Sequence, residues 1–110
     1  LATYEPINLN EFKKNEKYLI FSGIGNHQTF VSMVKKNGLE VLKDIEYPDH
    51  YSYTKEDIDK ILIEANKLNC KVITTEKDSH RINIFNENRI KIIKTDLKIA
   101  DENKLLKFII

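Results

Sequence analysis

The stretch Lys17–Ser22 (KYLIFS), followed at once by Gly23-Ile24-Gly25-Asn26, decides the fold. A short apolar run that stops abruptly at a glycine-rich segment is typical of a buried strand that ends in a tight loop. The next residues, His27–Asn37, change to a helical period, with Asn26 in the N-cap position and Gly38 where the helix should stop. A buried strand that passes through a tight loop into an amphipathic helix indicates an α/β domain.

The same alternation of strand and helix continues along the chain. Leu39–Tyr47 predicts a second strand, Lys71–Thr75 a third and Ile90–Lys94 a fourth. A helix is predicted to begin after Thr54, with Asp57 completing a capping box. Its apolar residues recur at helical spacing: Ile58, Ile61, Leu62, Ala65 and Leu68. Strands that alternate with helices at this spacing predict a parallel sheet with right-handed crossovers.

The two ends of the chain carry weaker signals. Residues 1–16 contain Pro6 and have no clear period, so we predict a linker or N-terminal extension with one helical turn around Asn10–Lys14. A short helical turn is expected after Asp78, and Asp101–Phe108 predicts a final helix. The fold class is therefore α/β: one small three-layer, Rossmann-like domain over residues 17–110, with a mostly parallel sheet of about four strands.

Composition limits the classes of partner. The chain has 110 residues, enough for one domain with one modest core. Its 18 basic and 17 acidic residues leave a net charge of +1, which gives no reason to expect a nucleic-acid partner. No apolar run approaches the ~18 residues that a membrane span requires, and there is no signal peptide, so we predict a soluble chain. His27, Cys70 and His80 lack the spacing of metal ligands, so no metal site is predicted.

Three of the predicted strands end in polar loops: Gly23–Asn26 (GIGN), Pro48–Tyr53 (PDHYSY) and Thr74–Asp78 (TTEKD). Because the carboxyl ends of parallel strands lie along one edge of a sheet, we expect these loops to meet there and to form the site. The candidate site residues are Gly23, Gly25, Asn26, Asp49, His50, Tyr51, Tyr53, Thr75, Glu76, Lys77 and Asp78.

Each loop has a structural as well as a functional interpretation. The Gly-Ile-Gly-Asn loop either cradles an anion at the helix start or is only a tight turn. Asp49 either orients the imidazole of His50, a side-chain type suited to proton transfer, or caps a turn beside a surface histidine. Glu76-Lys77-Asp78 either supplies charges to a phosphate or is a salt-bridged loop. Tyr51 and Tyr53 form either a stacking or lipid-facing surface or a rim.

Two classes of phosphotransfer protein do not fit this chain alone. It contains no Gly-x-x-x-x-Gly-Lys-Ser/Thr loop, so it is not by itself a P-loop kinase. A receiver-type phosphoacceptor needs acidic residues at the end of the first strand, where Ser22-Gly23 stands instead.

The three loops, in this order, resemble the C-terminal part of tetraacyldisaccharide 4′-kinase. Phe21–Asn26 with Phe30, Pro48–Tyr53 and Thr74–Asp78 match the family motifs Phe-x-Gly-Ile-Gly-Asn, Pro-Asp-His-His/Tyr-x-Tyr and Thr-Thr-Glu-Lys-Asp. There are two departures: His27 stands where the family usually has Pro, and Tyr51 stands where a second His is commoner.

The resemblance implies ATP-dependent phosphorylation of the 4′-hydroxyl of a lipid A disaccharide precursor, at the cytoplasmic face of the bacterial inner membrane. ATP and Mg²⁺ would be bound by an N-terminal P-loop lobe, which would be the partner of this chain, and the fragment alone would be inactive. His50 would support a catalytic Asp on that lobe, with Asp49 and the Glu-Lys-Asp loop in supporting roles. The alternatives are a non-enzymatic module that binds an anion or a partner, and a purely structural lobe.

Overall fold

The computed structural model describes the backbone of residues 2–99 and 104–107, and the side chains of residues 6–95. Within this part of the chain there are seven strands, three α-helices and two short 3-10 turns, the latter at Leu9–Glu11 and Asn83–Phe85. The strands are β1 (Ala2–Pro6), β2 (Lys17–Ser22), β3 (Glu40–Glu46), β4 (Lys71–Thr75), β5 (Ile90–Ile93), β6 (Thr95–Ile99) and β7 (Lys104–Lys107). The helices are α1 (His27–Lys36), α2 (Lys55–Lys67) and α3 (Glu76–Ile82).

The central sheet has four parallel strands in the order β3-β2-β4-β5. The chain steps from β2 to β3 on one side and then returns across β2 to β4 on the other. The strand order therefore reverses between β2 and β4, and such a switch point is where ligands bind in open α/β sheets. The predicted α/β fold with about four parallel strands is confirmed.

The core lies on both faces of this sheet, which makes the domain three-layered. Residues Tyr18–Phe21 of β2 are fully buried, and this explains why the strand is continuously apolar rather than alternating. On one face, α1 contributes Phe30 and Val34 to the core cluster. On the other face the core side chains come from α2 and α3, among them Ile58, Ile61, Ala65 and Ile82.

The helix ends follow local sequence signals. The Thr54 hydroxyl accepts a hydrogen bond from the Asp57 amide, and the Asp57 carboxylate accepts one from the Thr54 amide, so the predicted capping box is confirmed. Gly38 follows α1 with φ +86°, a left-handed conformation that favours glycine. Asn26 occupies the N-cap position of α1, but its side chain makes no capping hydrogen bond.

A second, antiparallel sheet of order β1-β6-β7 was not predicted. Ala2–Pro6, expected to be part of a linker, is a strand that pairs with Thr95–Ile99. The predicted helix Asp101–Phe108 is wrong over Lys104–Lys107, which pairs with β6 as a strand, and the rest of it falls outside the described residues. Both differences have one cause, because these strands are stabilised by partners elsewhere in the chain and not by local propensity.

Asn8 attaches the N-terminal segment to the central sheet. Its side-chain amide donates to the Ile92 carbonyl at 2.9 Å, and its side-chain oxygen accepts from the Lys94 amide at 2.8 Å. Asn8, which is 7% exposed, thus continues the hydrogen-bond ladder along the open edge of β5.

Within the described residues, no helix combines the length and apolarity that crossing a bilayer requires.

Candidate functional site

The buried carboxylate of Asp78 joins the three loops that follow β2, β3 and β4. Its Oδ1 accepts from the Gly23 amide at 2.9 Å and from the Tyr53 hydroxyl at 2.9 Å. Its Oδ2 accepts from the Thr75 hydroxyl at 2.6 Å, and Asp78 itself is 0% exposed. With Arg81, these residues form what we call the Asp78 cluster: Gly23, Tyr53, Thr75, Asp78 and Arg81. The expected meeting of the three loops is therefore observed, and it is held by one side chain.

The Asp78 cluster fills the switch point between β2 and β4 with a buried carboxylate and the guanidinium that pairs with it. The Gly23 amide, which an anion at the Gly-Ile-Gly-Asn loop would use, already donates to Asp78. A phosphate at this loop would have to displace Asp78 from the Gly23 amide, although Asp78 is held there by Tyr53, Thr75 and Arg81. The tight-turn interpretation of Gly23 fits the structure better than the anion cradle.

Glycine is required at position 23 by close packing of the loops. A Cβ atom there would lie 3.0 Å from the Pro48 carbonyl oxygen and 3.2 Å from both the Tyr51 Cβ and the Tyr53 hydroxyl. Gly25 is exposed, and a Cβ atom there would meet nothing closer than the Asp49 carboxylate at 3.5 Å. The two glycines of the loop therefore have different reasons to be present.

Arg81 belongs to the site although the motifs did not include it. Its Nη1 donates to the Gly23 carbonyl at 2.7 Å and to Asp78 Oδ1 at 3.2 Å, and its side chain is only 18% exposed. Its Nη2 lies 3.4 Å from Nδ1 of His50. Arg81 follows Asp78 by three residues on α3, a spacing that brings two side chains to one helix face and could have identified the pair.

His50 projects from the site edge at a defined place. Its amide donates to the Gly23 carbonyl at 3.1 Å, and the Tyr51 amide donates to the Pro48 carbonyl at 3.1 Å, which closes a turn. The backbone of His50 has a left-handed φ of +62°, a conformation that costs a residue other than glycine about 1–2 kcal/mol. The imidazole is 71% exposed, and its Nε2 lies 3.8 Å from the Asp49 carboxylate, which is 49% exposed.

The two tyrosines of the second loop have different environments. Tyr53 is buried, and burial, reinforced by the charge of Asp78, raises the pKa of its hydroxyl far above the ordinary value, so it remains a donor. Tyr51 is half-buried: its ring stacks on Tyr47 at 4.8 Å and its hydroxyl donates to Asp57 at 2.9 Å. Tyr53 is thus part of the Asp78 cluster, whereas Tyr47 and Tyr51 form a half-exposed aromatic patch. Tyr47 was missed because it ends the predicted strand.

The remaining candidates surround the Asp78 cluster. Glu76 and Lys77 are half-buried in the first turn of α3, so the Glu-Lys-Asp segment is helical rather than a salt-bridged loop. Neither side chain forms an ion pair with the residues that the structure describes. Asn26 is half-buried at the start of α1. Among the described residues, the side chains of these three form no hydrogen bond or ion pair with the cluster.

His27 stands at the position where the family that the motifs resemble usually has Pro. It is buried, and both of its ring nitrogens have a hydrogen-bond partner. Its Nε2 lies 2.8 Å from Asp44 Oδ1, and its Nδ1 lies 2.5 Å from the Ser22 hydroxyl. A Ser–His–Asp series can activate a nucleophile, but Ser22 is 0% exposed and no substrate can reach its oxygen. The series instead attaches the start of α1 to β2 and β3.

His27→Ala is expected to lower the free energy of unfolding by about 2–3 kcal/mol, because it leaves a buried cavity and an unpaired Ser22 hydroxyl. Urea unfolding of this chain, followed by circular dichroism, measures the change. Adding Ser22→Ala should cost little more, since the unpaired hydroxyl is then removed. Gln28→Ala, at the exposed neighbouring position, is the matched control. A His27→Ala variant as stable as the control would contradict the anchoring role.

Within the described part of the chain, no three His, Cys, Asp or Glu side chains lie close enough together to hold a metal ion. Of the acidic residues of the site, Asp78 is engaged by four donors, and Asp49 forms an ion-pair contact only with His50. The site, as this chain builds it, consists of a rigid buried support and an exposed Asp49–His50 pair.

Comparison with known proteins relates this arrangement to one family. The family model described as Tetraacyldisaccharide-1-P 4'-kinase matches residues 2–110. A protein named tetraacyldisaccharide 4'-kinase from Pelagibacter ubique is 53% identical over 94% of this chain and 34% of its own length. Proteins of the same name from Rickettsia akari and Rickettsia felis are 36% and 34% identical, over 86% and 94% of this chain.

The chain spans about a third of the length of these curated relatives, with 34%, 28% and 31% of each covered. No solved structure gives a significant match to it.

Proposed function

The chain belongs to the tetraacyldisaccharide-1-P 4'-kinase family, and on that premise we propose that it is the C-terminal lobe of such a kinase. The complete enzyme would transfer a phosphoryl group from ATP to the 4′-hydroxyl of a tetraacyldisaccharide 1-phosphate in lipid A biosynthesis. This lobe would contribute His50 to an active site between the lobes, with Asp49 beside it.

One observation carries the proposal: the Asp78 cluster holds an exposed imidazole at the carboxyl edge of the sheet. His50 keeps a left-handed backbone that is costly for any residue other than glycine, and its amide is bound to the loop after β2. Strained, over-determined residues concentrate at functional sites, where position matters more than stability. Such an imidazole, exposed but fixed at its base, is suited to meet a second protein surface.

ATP and Mg²⁺ would be held by the other lobe. Two observations support this assignment: the described residues contain no group of three or more metal-binding side chains, and the Gly23 amide is already bound to Asp78. This chain would instead pack against the ATP-binding lobe and the lipid A precursor. The enzyme would lie peripherally on the cytoplasmic face of the inner membrane, and this lobe alone would be inactive.

The chemistry expected of His50 is orientation of a carboxylate base. Phosphoryl transfer depends chiefly on positioning and on electrostatic stabilisation. An N–H of the imidazole would donate to a carboxylate of the other lobe and direct its free oxygen toward the proton of the 4′-hydroxyl. The nearby Asp49 carboxylate, 3.8 Å from Nε2, would stabilise positive charge that develops on the ring.

The proposal can be tested in the Pelagibacter ubique relative, by exchanging the third of it that matches for this chain. The assay measures phosphorylation of tetraacyldisaccharide 1-phosphate by radiolabelled ATP. The chimera should be active, whereas the relative without the exchanged segment should not be. If the chimera is folded and inactive while its parent is active, the proposed function is wrong.

A further inference from the structure

We propose that Arg81 is a positioning residue that fixes the tautomer and the direction of the His50 imidazole. This inference rests on the proposed function of His50. It assigns a role to a residue outside the three loop motifs, and it follows from the contacts of a single guanidinium.

The guanidinium of Arg81 is itself firmly held. Its Nη1 donates to the Gly23 carbonyl at 2.7 Å and to Asp78 at 3.2 Å, so one nitrogen spans the loop after β2 and the start of α3. Asp78 is completely buried, and the Arg81 side chain is 18% exposed. A planar group fixed through one nitrogen presents its other nitrogen in a defined direction. That second nitrogen, Nη2, is the one that faces His50.

The contact between Nη2 and Nδ1 determines where the imidazole carries its proton. A guanidinium has only donors and does not lose its proton in proteins. Nδ1 of His50, 3.4 Å away, must therefore present its lone pair to Arg81. The neutral ring consequently carries its hydrogen on Nε2, on the other side of the ring.

The Nε2–H group is then available for a second acceptor. It lies 3.8 Å from Asp49, beyond hydrogen-bonding distance, and the imidazole is 71% exposed. In the described part of the chain, the ring makes one hydrogen bond, with Arg81, and one ion-pair contact, with Asp49. Arg81 therefore gives an exposed histidine side chain a defined orientation as a donor, as the partners of catalytic and metal-bound histidines do.

The first test is independent of kinase activity. Nitrogen-15 NMR of this chain, with labelled histidine side chains, reports which imidazole nitrogen of His50 carries the proton at a pH where the ring is neutral. We expect Nδ1 to be unprotonated in the unmodified chain and Nδ1–H to become populated in Arg81→Gln. His27, whose ring nitrogens are paired with Ser22 and Asp44, serves as the internal reference and should keep its tautomer. An identical His50 spectrum in both chains would overturn the inference.

The second test asks whether Arg81 acts through His50. In the active chimera, Arg81→Gln should lower kcat about 10- to 100-fold, as small misplacements in active sites do, with KM for ATP unchanged. In a chimera that already carries His50→Asn, the same substitution should have little further effect. Equal losses in both backgrounds would overturn the inference, because Arg81 would then act independently of His50.

Two controls separate the possible failures. Arg89→Gln removes an exposed guanidinium that pairs with Glu87, and it should leave kcat unchanged. Arg81→Lys keeps the positive charge beside Asp78 but loses the second donor nitrogen that faces His50. It should therefore preserve the stability of the Asp78 cluster while leaving the His50 tautomer as it is in Arg81→Gln. If the unmutated chimera is inactive, the proposed function fails, while the NMR comparison still decides whether Arg81 orients His50.

Discussion

His50→Gly is expected to lower kcat of the active chimera about 100-fold or more, the range found for general acid–base groups, without destabilising the lobe. The imidazole is the group through which this chain would act on the carboxylate base. The backbone at position 50 has φ +62°, which glycine adopts without the strain that other residues experience. Steady-state kinetics with ATP and tetraacyldisaccharide 1-phosphate measures kcat, and urea unfolding of the isolated chain measures stability.

The conformation of His50 makes this variant informative. In most sites, truncation of a catalytic side chain confounds lost chemistry with lost structure. Here the substitution relieves backbone strain, which offsets the entropy that glycine gains in the unfolded chain. A matched control is His80→Ala, which removes an exposed imidazole from α3. If His50→Gly and His80→Ala had the same kcat, His50 would not be the residue that this lobe contributes.

Asp78→Ala should cost about 3–5 kcal/mol of the free energy of unfolding, the loss expected when one partner of a buried charged network is removed. It leaves the Gly23 amide and the Tyr53 hydroxyl without an acceptor and the Arg81 guanidinium without its counter-charge. Domains of this size are stable by only about 5–15 kcal/mol. The loss is therefore a large fraction of the total, and the variant should unfold at a much lower urea concentration than the unmodified chain, as urea titration followed by circular dichroism will show.

Two milder variants test whether the cost arises from the polar network. Asp78→Asn keeps the shape and one acceptor oxygen, so it should cost less than Asp78→Ala. Tyr53→Phe removes one donor but keeps the ring packed against Phe21, and combined with Asp78→Ala it should be less than additive. An Asp78→Ala variant that unfolds at the same urea concentration as the unmodified chain would show that the loops are held together in another way.

Local signals account for the elements that were predicted correctly. Strands β2 and β4 begin and end where expected, because each is a short apolar run between charged residues and polar loops. The start of α2 was predictable since Thr54 and Asp57 cap it through contacts three residues apart. The second sheet was not predictable in this way. β1 and β7 exist because they pair with β6, and nothing in their own sequences specifies that partner.

The candidate site likewise has features that local sequence predicts and features that only tertiary packing sets. By itself, the sequence determined the central parallel sheet, the three loops at its edge and the family, because period, capping and motif spacing are local properties of the chain. Only the tertiary structure decided that Asp78 occupies the switch point, that Tyr53 is buried and that Arg81 reaches His50. These facts depend on which side chains from different strands come within about 3 Å of one another. The three-residue spacing of Asp78 and Arg81 could have indicated that pair, but contacts between different loops are set by the packed sheet and not by spacing along the chain.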